Sequence, residues 1–144
     1  MFRWWSDWSW GLPLLVATVV FHVSMFVLME RALVPRAGRG VHVHPRRYFI
    51  VAIALTALGA ATLHGVEATA WAVLYIWLGA MSDLPAAMLY SLSAITSYGH
   101  SNLFLEERWR LLGAIEAMNG LILFGLTTAF LFAAIEEVRP VRRH

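Results

Sequence analysis

From Leu12 to Met29 the chain runs for eighteen residues without a charge, and a helix of that length, completed by its flanks, can cross a hydrocarbon core of ~30 Å. Two more stretches share this character: Tyr48 to Ser82, interrupted by His64 and Glu67, and Trp109 to Ile135, with Glu116 as its one acid. With 60% of 144 residues hydrophobic and 14% charged, the expected class is an integral membrane protein, all-α, with three transmembrane helices. The first stretch reads as a span and not as a cleaved leader, because its positive charges follow it. The chain contains no cysteine, which excludes disulfides, iron–sulfur clusters and thiol catalysis. Its arginines sit at segment ends instead of forming a basic stripe, so nucleic acid is not an expected partner.

The second stretch is too long for one span, ~52 Å as a single helix. A break is expected near "LHGVEA", where Gly65 weakens the helix and two ionisable residues want the interface or a partner. The span would then end near Ala68, leaving Trp71, Tyr75 and Trp77 in an outer aromatic belt on a surface helix. His22 would lie ~15 Å below the outer end of its own span, and His64 near the outer end of the next. Two histidines at such different depths are not expected to meet, so they do not hold a haem.

Orientation follows from arginine. The loop "RALVPRAGRGVHVHPRR" and the tail "EEVRPVRRH" carry Arg31, Arg36, Arg39, Arg46 and Arg47, and Arg139, Arg142 and Arg143, which places both in the cytoplasm and the N-terminus outside. The tryptophans of "MFRWWSDWSW" then read as an interfacial anchor, and the loop arginines suit anionic lipid headgroups. A bacterial inner membrane is the expected location. Between the second and third spans lies "SDLPAAMLYSLSAI". Ser82 or Asp83 can cap a helix there and Pro85 is tolerated in its first turn, so the helix is predicted from Leu84 to about Ile95. Twelve residues make ~18 Å, too short to cross. Such a segment must enter and stop near the middle, and the irregular chain after it is tolerated at that depth only when buried in protein or lining a watery cavity.

The residues around this segment resemble the pore module of bacterial potassium channels. "LYSLSAITSYGHSN" is similar to the family pattern Y-F-S-L-V-T-F-T-T-L-G-Y-G-D, with Tyr90, Ser91, Leu92, Thr96 and Gly99 on equivalent positions, and "WRLLGAIEAMNGLILFGLTTAFLF" resembles its inner helix. The resemblance covers about residues 71–132. It implies a re-entrant pore helix and filter loop, a homotetramer, and a pore for monovalent cations such as K+, with no other cofactor. The filter would comprise Thr96, Ser97, Tyr98, Gly99, His100, Ser101 and Asn102. Gly120 would be a hinge, with any gate around it, and Phe124, Thr128 and Phe132 would face the axis. The filter is degenerate: Ser101 stands where the family has its second glycine, His100 replaces the bracing tyrosine, and Asn102 replaces an acid. A positive φ at a non-glycine residue costs of order 1 kcal/mol or more, so K+ selectivity is not implied. Two readings follow, a permissive cation pore and a non-conducting module acting as sensor, scaffold or ligand/metal-binding unit. His100 is either a ring near the outer mouth that senses pH or a hydrogen-bonded spacer.

The remaining polar residues have simpler readings. Glu116 is expected to bond the pore helix through Ser91, Ser93 or Asn119, in preference to binding an ion directly, and Asn119 to contact another helix. His64 and Glu67 share a helix face. A mutual hydrogen bond, or a contact with the pore loop, is a simpler reading of them than a metal at the outer surface. His42, His44 and His144 fall short of a metal site, which needs more ligands at defined spacing. No nucleophile–base pair, phosphate loop or paired catalytic carboxylates occur, so no enzyme is expected. The organisation is therefore 1–33 (interfacial segment and first span), 34–47 (basic loop), 48–135 (pore module) and 136–144 (tail).

Overall fold

The computed structural model describes residues 4–40, 45–99 and 102–138, with side chains described for all of these except 33–40, 45, 46, 48, 137 and 138. Among them the fold is all-helical: α1 (Trp4–Gly40), α2 (Pro45–Trp77), α3 (Leu84–Ile95) and α4 (Arg110–Val138), the last preceded by a single 3₁₀ turn, Glu107–Trp109. Three stretches, Trp4–Ala32, Phe49–Trp77 and Glu107–Glu136, are long and apolar enough to cross a membrane. His42, His44, His100, Ser101 and His144, and the arginines of the tail, lie outside the described residues.

α3 begins and ends where its sequence dictates. Asp83 caps it, its Oδ2 accepting the Ala86 N–H at 2.9 Å, and Pro85 sits in the first turn. At the far end the Thr96 N–H returns to Leu92 O (3.1 Å), and Ser97, at φ +55°, turns the chain out of the helix. From there it climbs back: the Glu106 N–H reaches Ala80 O at 3.1 Å and Arg108 Nη2 reaches Leu78 O at 3.0 Å. Residues 78–80 and 106–108 are therefore level, and Ile95 is the far point of a hairpin packed between α2 and α4. Two glycines of α4 make room for it. A Cβ at Gly113 would overlap Tyr90 Oη, and one at Gly120 would overlap the Ile95 carbonyl. α4 runs through Gly120 as an unbroken helix, so here that glycine provides a seat for the end of α3.

The expected break in α2 does not occur. The helix continues through Gly65 to Trp77, and Trp71 and Tyr75 are fully buried instead of lying in a surface belt. The reason is tertiary: His64 and Glu67 find partners inside the protein and have no need of the interface. Beyond them Ala68, Trp71 and Tyr75 join Ile95, Leu105, Trp109, Leu112 and Ile115 in one apolar core. Trp77 alone of the three aromatics remains exposed, edge-on to Trp10 with ring centroids 4.8 Å apart. That contact sets the register of α1 against α2. A second, smaller core of Phe26, Ala60 and Leu63, with Met29 and Phe130 against it, lies farther down the bundle. Polar side chains fill the level between the two cores.

Candidate functional site: two buried polar layers and a turn

The layer next to α3 centres on Glu116 of α4, which has no solvent exposure. Tyr75 Oη of α2 donates to its Oε2 at 2.5 Å, and Ser91 Oγ of α3 contacts its Oε1. Ser91 Oγ also lies 2.8 Å from the Ala68 carbonyl. One carboxyl group thus ties α2, α3 and α4 together. Of the three expected partners only Ser91 is used. Ser93 bonds back to Leu89 O, and Asn119 turns to α1, its Nδ2 donating to Thr18 Oγ1 at 2.8 Å. Asn119 is thus the helix-contact residue expected of it.

The second layer was not foreseen. His22 of α1 and His64 of α2 have ring centroids only 5.3 Å apart. Both lie deeper than expected, because α1 starts at Trp4 and α2 ends at Trp77. Counted from the Trp10–Trp77 contact, His22 is twelve residues down α1 and His64 thirteen down α2, ~18 and ~20 Å along helices of 1.5 Å rise. The two rings therefore share a level. Glu67 and Thr127 complete a closed circuit with them. His22 Nδ1 lies 2.7 Å from Glu67 Oε1, and His22 Nε2 lies 3.0 Å from Thr127 Oγ1. His64 Nε2 lies 3.1 Å from the same hydroxyl, and its Nδ1 lies 3.3 Å from Glu67 Oε2. With Thr127 and Glu67 closing both sides of rings this close, no porphyrin fits between them.

Sequence reasoning passed over Thr127 and Thr18, and placed Tyr75 in an outer aromatic belt. A signal for the first was present: Glu116, Asn119, Leu123 and Thr127 recur at helical spacing on one buried face of α4. It also passed over Asp7, whose side chain is buried, with Oδ1 lacking a hydrogen-bond partner.

The filter residues within the described set, Thr96 to Gly99 and Asn102, form the turn at the far end of α3. Gly99 has φ +70° and bonds Ser93 O (3.3 Å), while Ser97, Tyr98 and Gly99 are exposed in the single chain. Of the expected axis-facing residues, Thr128 and Phe132 lie on the uncovered face of α4. Phe124 leans on His64, its ring stacked at 4.5 Å. No family model, curated protein or solved structure matches the chain.

Proposed function

We propose that four copies of this chain surround a passive pore for monovalent cations, with residues 84–106 of each as a re-entrant loop. One observation carries this reading. A half-length helix descends from Asp83 to Ile95 between two long apolar helices, and the chain returns without further helix to the level from which it left, Glu106 against Ala80. Non-helical backbone at that depth needs protein or water around it. Ser97, Tyr98 and Gly99 are exposed in the single chain, and sibling copies with a watery axis would cover them. The C-terminal carbonyl end of α3 presents partial negative charge to that axis, which favours a cation there. The uncovered face of α4, with Thr128 and Phe132, lines the path below. The basic ends of the helices favour a cytoplasmic C-terminus and an external turn between α2 and α3.

The departures at the filter set what kind of pore this is. Ser97 already takes a left-handed φ that favours glycine, and His100, Ser101 and Asn102 replace three residues of the potassium pattern. The loop is accordingly a permissive cation path. Purified protein in liposomes should pass K+ and Na+ at comparable rates and exclude larger organic cations; absence of flux for all of them overturns the reading. The double change His100→Tyr with Ser101→Gly should shift the pore toward K+, and an unchanged K+/Na+ ratio in a conducting variant shows that the filter register is wrong.

A further inference from the structure

The circuit of His22, Glu67, His64 and Thr127 plays no part in the pore reading, yet it is the most concentrated set of ligand-type side chains in the described structure. Three of its members offer atoms that all lie within 4.8 Å of one another, and all three residues are buried. We infer that His22, His64 and Glu67 bind a divalent first-row transition cation inside the helix bundle, with Thr127 orienting both imidazoles from behind.

That convergence is the ground for it, and proton counting allows it. A hydroxyl has one proton and two lone pairs. Thr127 Oγ1 stands within hydrogen-bond distance of both Nε2 atoms; it can accept from both, or donate to one and accept from the other. When it accepts from both, each imidazole carries its proton on Nε2 and each Nδ1 lone pair faces the Glu67 carboxylate, itself an acceptor only. In that arrangement three electron-pair donors converge on a corner with no proton between them, and a bound cation would balance them. A metal-bound histidine ordinarily donates its other ring N–H to an oxygen, which fixes its tautomer. Thr127 is that oxygen for two rings together.

The rival way to close the circuit is one extra proton. Four contacts need four hydrogens, whereas the threonine and two neutral imidazoles bring three, so an imidazolium paired with Glu67 would complete it. Without that proton the three hydrogens make three hydrogen bonds, which is what the circuit shows, and the corner between His64 Nδ1 and Glu67 is left open. His64 Nδ1 and Glu67 Oε2 are 3.3 Å apart, but neither has a hydrogen-bond partner. Two buried ligand atoms facing across a gap, unbonded, suit a metal: tetrahedral zinc with bonds of 2.0–2.2 Å sets neighbouring ligand atoms ~3.3 Å apart. Two imidazoles with one carboxylate match zinc, iron, manganese or cobalt more closely than calcium or magnesium, which take all-oxygen shells. Entry is from the side of Phe124, where the His64 side chain keeps 11% of its surface exposed.

Tag-free protein, extracted in detergent, stripped with chelator and reloaded, is the material for the test. Zn2+ is expected to remain at about one per chain through gel filtration and to raise the thermal midpoint. Co2+ should give the visible absorption of a low-symmetry site. Glu67→Ala and His64→Ala should abolish retention. Thr127→Val keeps all three ligands and should weaken binding by about 10–100-fold, the usual effect of losing such an outer partner, while a His42→Ala/His44→Ala chain should bind as the parent does. Failure of the unsubstituted chain to retain Zn2+ or to colour with Co2+ overturns the inference and leaves a shared proton in the circuit. Retention that survives Glu67→Ala and His64→Ala overturns it equally. None of these readouts depends on ion flux, so the site and the pore stand or fall separately.

Discussion

Glu116 shows how much rests on a single side chain in this bundle. A buried carboxyl group without partners is costly, and Tyr75 and Ser91 are what make this one tolerable. Tyr75→Phe removes one donor while leaving the ring's packing intact. A buried hydrogen bond is worth about 0.5–1.5 kcal/mol, or about 1.5–3 kcal/mol when it reaches a charged group, and thermal unfolding in detergent should show a loss within that span. Gly120 can be tested in the same way: Gly120→Val puts side-chain atoms where the Ile95 carbonyl sits, overpacking that costs about 1–3 kcal/mol or more and should free α3 to amide exchange. The contrast between Ser91 and Tyr75 also shows what sequence can supply. Ser91 was legible as a partner of Glu116 because the pore-helix pattern places it beside the inner helix. Tyr75 was hidden because the sequence pointed to a helix broken before reaching it.

At the level of elements, α3 was legible to the residue and α2 was not, for one physical reason. Capping is local: Asp83 and Pro85 specify a helix start whatever surrounds them. Continuity through "LHGVEA" depends on whether His64 and Glu67 find partners, and those come from α1 and α4, forty or more residues away. The same non-locality hid the meeting of His22 with His64, which needed the register fixed by Trp10 and Trp77. Asp83→Ala should cost about 0.5–2 kcal/mol and be seen as faster amide exchange at Ala86, with Asp83→Asn close to neutral. The course of the hairpin has its own test, made clean by a chain without cysteine. In sealed vesicles Ser82→Cys and Glu107→Cys should react with an impermeant maleimide from one side, and Arg47→Cys from the other. Labelling of Ser82→Cys and Glu107→Cys from opposite faces would mean that α3 crosses the membrane.

The whole molecule is where a single chain says least, because a shared axis leaves no trace in one copy beyond the surfaces it leaves bare. α1 packs most extensively on α4 and also on α2, so it covers one side of α4 and leaves the face bearing Thr128 and Phe132 uncovered. Lipid or water can cover such a face, and thiol chemistry distinguishes them. The thiolate is the reactive form of cysteine, and it does not persist in hydrocarbon. If sibling copies enclose an aqueous path, Thr128→Cys meets water. A small cationic methanethiosulfonate should then modify it and cut cation flux, and permeant K+ should slow the reaction by competing for the same space. Val20→Cys, on the exposed side of α1, faces lipid in that arrangement and should react far more slowly with flux unchanged. Equal reaction at both positions, or modification of Thr128→Cys without effect on flux, would place α4 at the lipid boundary and remove the axis on which the pore depends.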